Sequence, residues 1–133
     1  MRTFASIILL GLLSACSSLP AMNCKANEQF EVQDTMYFGA GSSNGIVTNA
    51  EWANFLAETI TPRFPQGLTV LDASGQWLSA NGKLAHEATH VLQIVHPNDD
   101  HSDRLIAEII SAYTMQFKQE SVLRVTVNAC VSF

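Results

Sequence analysis

From Glu28 to Gly39 the apolar residues alternate with polar ones: Phe30 and Val32 keep step, then Met36 and Phe38 lie opposite to Thr35 and Tyr37. That period of two predicts a strand. Gly39-Ala40-Gly41-Ser42-Ser43-Asn44-Gly45 is turn chemistry; without the Gly-Lys-Ser/Thr ending of a phosphate loop, it reads as a flexible connection. The spacing then switches to that of a helix. Thr48-Asn49-Ala50-Glu51 has the form of a capping box, Trp52, Phe55, Leu56, Thr59 and Ile60 share one face, and Pro62 stops the run. After a turn on Pro65 and Gly67, a second strand is expected from Leu68 to Ala73, breaking at Ser74-Gly75. Asn81-Gly82 lies in a loop leading to a third strand, Thr89 to His96, ended by Pro97. Asn98-Asp99-Asp100-His101-Ser102 places acids and a hydroxyl where a helix begins. Leu105, Ile106, Ile109, Ile110, Tyr113 and Phe117 form its apolar stripe, and Val122 to Val127 is the last strand.

This order, β-α-β-β-α-β, predicts an α+β fold: a ferredoxin-like sandwich with a four-stranded antiparallel sheet and two helices on one face. Alternation assigns Met36, Phe38, Leu68, Val70, Leu92, Ile94, Leu123, Val125 and Val127 to the face beneath the helices. The opposite face receives Thr35, Tyr37, Thr69, Leu71, Val91, Gln93, Val95, Val122, Arg124 and Thr126. That set is more apolar than a solvated face should be, so a second copy of the chain or a small ligand is expected to cover it.

The N-terminus has a different logic. Arg2 precedes an apolar run from Phe4 to Leu13, too short to span a bilayer, which reads as the core of a signal peptide. Leu13-Ser14-Ala15-Cys16 resembles the lipobox of bacterial lipoproteins, in which the Cys becomes the acylated N-terminus. The chain divides accordingly into a signal peptide, residues 1–15, a tether, residues 16–23, and a single domain, residues 24–133. The expected location is the bacterial cell envelope, with palmitate-type acyl chains on Cys16 as the membrane contact. Ser17, with no Asp after the Cys, resembles the sorting signal for an outer membrane facing the periplasm. In an oxidising compartment Cys24 and Cys130 are expected to form a disulfide, the alternatives being free thiols or half a metal site. The segments entering the first strand and leaving the fourth would lie side by side in the expected sheet, which supports the bridge.

Composition then narrows the partners. The chain is 47% hydrophobic and 14% charged, with 7 basic and 12 acidic residues. Without Arg2 the mature part has a formal charge of −6 and no basic cluster. Nucleic acid is therefore not expected as a partner, because its phosphates need a basic surface.

Several blocks also carry a family resemblance. Phe64-Pro65-Gln66-Gly67-Leu68-Thr69-Val70-Leu71-Asp72, Gly75-Gln76-Trp77, Gln119-Glu120-Ser121-Val122-Leu123-Arg124-Val125 and Cys130-Val131-Ser132-Phe133 occur in that order, with Glu51-Trp52 and Tyr37-Phe38-Gly39 upstream. Over about residues 33–133 the chain resembles the bacterial domain-of-unknown-function family 3574. The resemblance implies a small exported domain, usually lipid-anchored, with no assigned activity. One departure is Ala40, where the family pattern would bring a basic residue after the Gly.

Candidate chemistry is sparse. His86-Glu87-Ala88-Thr89-His90 has the H-E-x-x-H spacing of a zinc hydrolase, which needs the motif inside a helix. Thr89 to Val95 instead alternates like a strand, which would set the two His about 13 Å apart. His96 and His101 flank an acidic turn and are read as a solvated helix start in preference to a metal or pH-sensitive site. Tyr37, Gln93, Arg124 and Thr126 form the candidate binding face, with Arg124 offered to a carboxylate of a ligand, a partner or Glu120. Trp52 and Trp77 are read as core. No catalytic residue, metal ligand or cofactor is assigned. The expectation is a ligand- or protein-binding module, with two alternatives: a cofactor-free enzyme of dimeric α+β barrel type, and the zinc hydrolase through His86, Glu87 and His90.

Overall fold

Four long strands carry the architecture: β1 (Gln29–Gly39), β4 (Thr69–Leu78), β5 (Leu84–His96) and β6 (Leu123–Val131). A computed structural model describes residues 23–42 and 45–133. Cys16 and its lipobox, with Ser43 and Asn44 of the glycine-rich connection, lie outside the described residues. The strands form one antiparallel sheet in the order β4-β5-β1-β6. With helix α1 (Asn49–Phe55) and helix α2 (Asp100–Phe117) this is the ferredoxin-like arrangement that the element order predicts. Residues Gly41–Ser42 (β2) and Gly45–Ile46 (β3) add a short two-stranded ladder between β1 and α1.

The helix ends follow their local chemistry. Thr48 caps α1: its hydroxyl accepts from Glu51 N while Glu51 reaches back to Thr48 N at 2.8 Å. A π-helical turn, Leu56–Ile60, extends α1 and closes with Thr61 N donating to Leu56 O at 2.9 Å. Asp99 caps α2 by accepting from Ser102 N at 2.7 Å. That bond and the Ser102 side chain hold its carboxyl below the usual carboxylate value.

The helices close over Met36, Phe38, Leu92 and Ile94 of the sheet, and Phe55, Ile60, Ile106, Ile109, Tyr113 and Phe117 come down from above. Phe38 meets Tyr113 edge-on with ring centroids 4.8 Å apart, and Phe55 meets Tyr113 the same way at 5.2 Å. Such geometry adds about 0.5–1.5 kcal/mol per aromatic pair beyond the area buried. The Tyr113 hydroxyl donates to Gly39 O at 2.9 Å; burial first, then the charge of Glu87, pushes this phenol well above its usual range.

Cys24 and Cys130 are joined as a disulfide across a sequence separation of 106, with Cα atoms 5.4 Å apart. The register explains it: β1 and β6 are antiparallel neighbours, and Phe30 lies opposite Cys130. Glu28 and the two sulfurs cluster at metal-ligand spacing, but sulfurs bonded to each other offer no thiolate.

Three expectations change. The second strand does not break at Ser74-Gly75 but continues to Leu78, and the third begins at Leu84 instead of Thr89, so the two form one long hairpin. Gly75 is an interior strand position left without a side chain because a Cβ there would lie 2.6 Å from Thr89 Oγ1. Within the connection after Gly39, Gly41–Ser42 and Gly45–Ile46 pair as the small ladder. The last strand also has the opposite facing. Leu123, Val125 and Val127 pair with Tyr37, Thr35 and Gln33 on the open face, while Arg124 and Thr126 pair with Met36 and Asp34 beneath the helices.

Candidate functional site

Two polar assemblies stand out, one on each side of the sheet. Beneath the helices, Asp34 is completely buried yet charged. Arg124 donates to it through Nε at 2.9 Å and Nη2 at 2.6 Å, Thr126 Oγ1 donates at 2.5 Å, and His96 Nε2 lies 2.9 Å away. Arg124 Nη1 also reaches Asp103 of α2 at 2.8 Å. Burial alone would raise the Asp34 carboxyl, but bonds from Arg124, Thr126 and His96 and the charge of Arg124 outweigh it, and the acid stays below its ordinary value.

This corrects the candidate binding face. Arg124 and Thr126 do not join Tyr37 and Gln93 on the open side; they neutralise Asp34, and the carboxylate Arg124 meets is internal. A buried unpaired carboxylate would cost several kcal/mol, which is why the polar half of β6 faces inward. His96 is likewise buried and bonded to Asp34 and to Pro97 O at 2.8 Å, not part of a solvated turn. His101 is exposed.

The open side holds the second assembly. Glu87 of β5 projects across Gly39 and Gly41, where any Cβ would overlap its carboxylate. Its Oε1 accepts from Trp77 Nε1 at 2.7 Å, and its Oε2 accepts from Gly41 N at 2.7 Å. Trp77 reaches it diagonally, because Gly75 stands directly opposite Glu87 and presents nothing. The carboxylate borders a cavity of about 230 Å³ lined by Tyr37, Gly39, Gly75, Gln76, Trp77, Thr89 and Leu123, with Gln119, Glu120 and Ser121 from the α2–β6 connection. A carboxylate has about four acceptor positions, and those two bonds use half of them. The cavity is thus built to present a fixed negative group between aromatic and apolar walls.

Neither Glu87 nor Trp77 was assigned to a ligand site by periodicity. Trp77 sits outside the helix-packed cluster, in contrast to the core reading, whereas Trp52 is core and stacks on His90 with ring centroids 4.4 Å apart. The usable signal was the glycines: Gly39, Gly41 and Gly75 weaken strands unless something approaches closely.

The zinc arrangement does not form. His86, Glu87 and His90 lie on β5, not on a helix. His86 and His90 are separated by about 13 Å of strand rise, and Glu87 points to the opposite face. His90 Nδ1 is instead 2.8 Å from Asp72 Oδ1.

Around the cavity the open face is apolar and exposed: Leu123 is 61% exposed, Leu71 50%, Val127 47%, Val125 42% and Val95 41%. Gln93 sits among them, half-buried. No helix among the described residues is long and apolar enough to cross a membrane.

Residues 33–133 match a family described as proteins of unknown function, DUF3574. The chain belongs to that family. No curated protein matches it. Among solved structures it is similar to a phage SAM lyase in complex with S-methyl-5′-thioadenosine, with a TM-score of 0.60 and 12% identity over 87% of this chain and 97% of that one. A phage SAM lyase in the apo state gives 0.57 and 15%, over 86% and 97%. At these identities the likeness is one of fold.

Proposed function

We propose that this DUF3574 domain binds a small molecule on the open face of its sheet, in the cavity bordered by Glu87. The observation that carries the reading is the Glu87 carboxylate, fixed by two 2.7 Å bonds beside a cavity with Tyr37 and Trp77 in its walls. A carboxylate between aromatic rings suits a planar ring bearing N–H donors, or an ammonium or sulfonium centre attracted by charge and by the ring faces. Calorimetric titration with tryptamine and with S-methyl-5′-thioadenosine tests it. Saturable binding of either by the wild type, weakened about tenfold or more in Leu123→Glu, is the expected result. A folded wild type that binds neither, or a Leu123→Glu variant that binds as well, overturns it.

The phage SAM lyases with this fold favour a second reading, a cofactor-free enzyme acting at the same cavity. Incubation with SAM and chromatography for S-methyl-5′-thioadenosine separates an enzyme of that kind from a binding module. A second copy of the chain packing on Leu71, Val95, Val125 and Val127 would enclose the cavity between two sheets. Light scattering on wild type and Val125→Glu decides it, since a monomeric wild type removes the dimer.

In this reading the domain sits in the cell envelope, tethered through lipid on Cys16. The Cys24–Cys130 bridge supports an oxidising compartment. Cys16→Ala should release the protein from membranes and abolish an acyl mass; equal retention in the variant would defeat the tether.

A further inference from the structure

Beside the Glu87 cavity lies a second hollow of about 510 Å³ that shares Trp77, Glu87, Gln119 and Glu120 with the first and adds Ser79, Asn81, Lys83, Leu84, His86 and Lys118. The lining of this second hollow carries both signs of charge, with Glu87 and Glu120 acidic and Lys83 and Lys118 basic. Of the cationic side chains from Lys25 onward, Lys25, Arg63 and Arg124 are ion-paired; among the described residues Lys83, Arg104 and Lys118 are not. Two of those three line one groove.

Both lysines are also held at their backbones. Lys83 N donates to Asn81 Oδ1 at 3.0 Å and Lys83 O accepts from Ser79 N at 3.0 Å, closing the tip of the β4–β5 hairpin. Lys118 ends α2 in the left-handed region at φ 53°, the only described residue other than glycine with positive φ, and its N–H bonds Thr114 O. Gly would take that helix-ending position without strain, so a Lys there keeps a charged side chain at a conformational cost.

Resting on the small-ligand reading above, we infer that the ligand is amphoteric: a ring or cationic centre at Glu87 and Trp77, and a carboxylate or phosphate at Lys83 and Lys118. The strand from Leu84 to Glu87 spans roughly 10 Å, which sets the spacing between the Lys83 and Glu87 positions. An acidic domain repels an anionic group except beside uncompensated cations, and two of the three among the described residues line this groove. The groove therefore selects for a ring or cation and an anion in one molecule.

Two matched pairs of probes test this by calorimetry at low salt on the purified full chain: tryptamine against tryptophan, and adenosine against adenosine 5′-monophosphate. The anionic member should bind about fivefold more tightly, the scale of partly exposed ion pairs. The double variant Lys83→Gln/Lys118→Gln should erase that advantage and leave tryptamine and adenosine unchanged. An advantage in only one pair still supports the inference and tells carboxylate from phosphate. Equal affinities within both pairs, or an advantage that survives in the double variant, overturn the amphoteric ligand while leaving the cavity reading intact. No binding of any of the four overturns the amphoteric ligand, and no binding of S-methyl-5′-thioadenosine either overturns the cavity reading with it. Both lysines are exposed, so circular dichroism should show an unchanged fold in the variant.

Discussion

Arg124 grips Asp34 with two bonds, at 2.9 and 2.6 Å, across 90 residues of sequence. The pair ties the edge strand to the centre of the sheet, and Asp103 extends the tie to α2. Arg124→Ala leaves the carboxylate buried without its main partner and should cost about 3–5 kcal/mol. Urea denaturation measures it. The double variant Asp34→Leu/Arg124→Met should recover most of that loss, because it removes the buried carboxylate together with its main partner; a single variant within about 0.5 kcal/mol of wild type would show the pair to be unimportant.

The same network makes stability depend on acid. Asp34 has a folded-state pKa below its ordinary 3.8, so the folded form binds a proton less readily than the unfolded chain. Its contribution is fully present above the unfolded value and is lost as pH falls through the folded value. Melting temperatures from pH 7 to pH 2 should fall more steeply for wild type than for Asp34→Asn, with the gap narrowing only below about pH 4. Parallel curves would contradict this role for Asp34.

Gly39→Ala tests how Glu87 is held. The new methyl would occupy the space of the Glu87 carboxylate, and such overpacking typically costs about 1–3 kcal/mol. Displacing the carboxylate should also break its bond to Trp77 Nε1 and shift the indole emission. Unchanged stability together with unchanged emission would mean the carboxylate has room to move aside.

Reducing the Cys24–Cys130 bridge should lower stability by about 2–5 kcal/mol, the scale of losing a native disulfide from a small domain. Denaturation with and without reductant, read beside the Cys24→Ala/Cys130→Ala variant, checks it. A reduced protein as stable as the oxidised one would leave the β1–β6 ladder alone as the clasp between the chain's two ends.

The sequence already carried the order of the long elements and both helix starts, and favoured the Cys24–Cys130 bridge over free thiols or half a metal site, because each depends on local spacing or on adjacency that the order imposes. Thr48 with Glu51, and Asp99 with Ser102, act across three residues and can be read directly. It could not determine the facing of β6. A strand read alone offers its apolar set, Leu123, Val125 and Val127, to the core, and one residue of register reverses both faces. What decided the register was Asp34, a buried charge on another strand that needed Arg124 and Thr126 beside it. The Glu87 site was hidden for the same kind of reason. Gly39, Gly41 and Gly75 look like breaks along the chain, and only the assembled sheet turns them into the space that Glu87 and Trp77 fill.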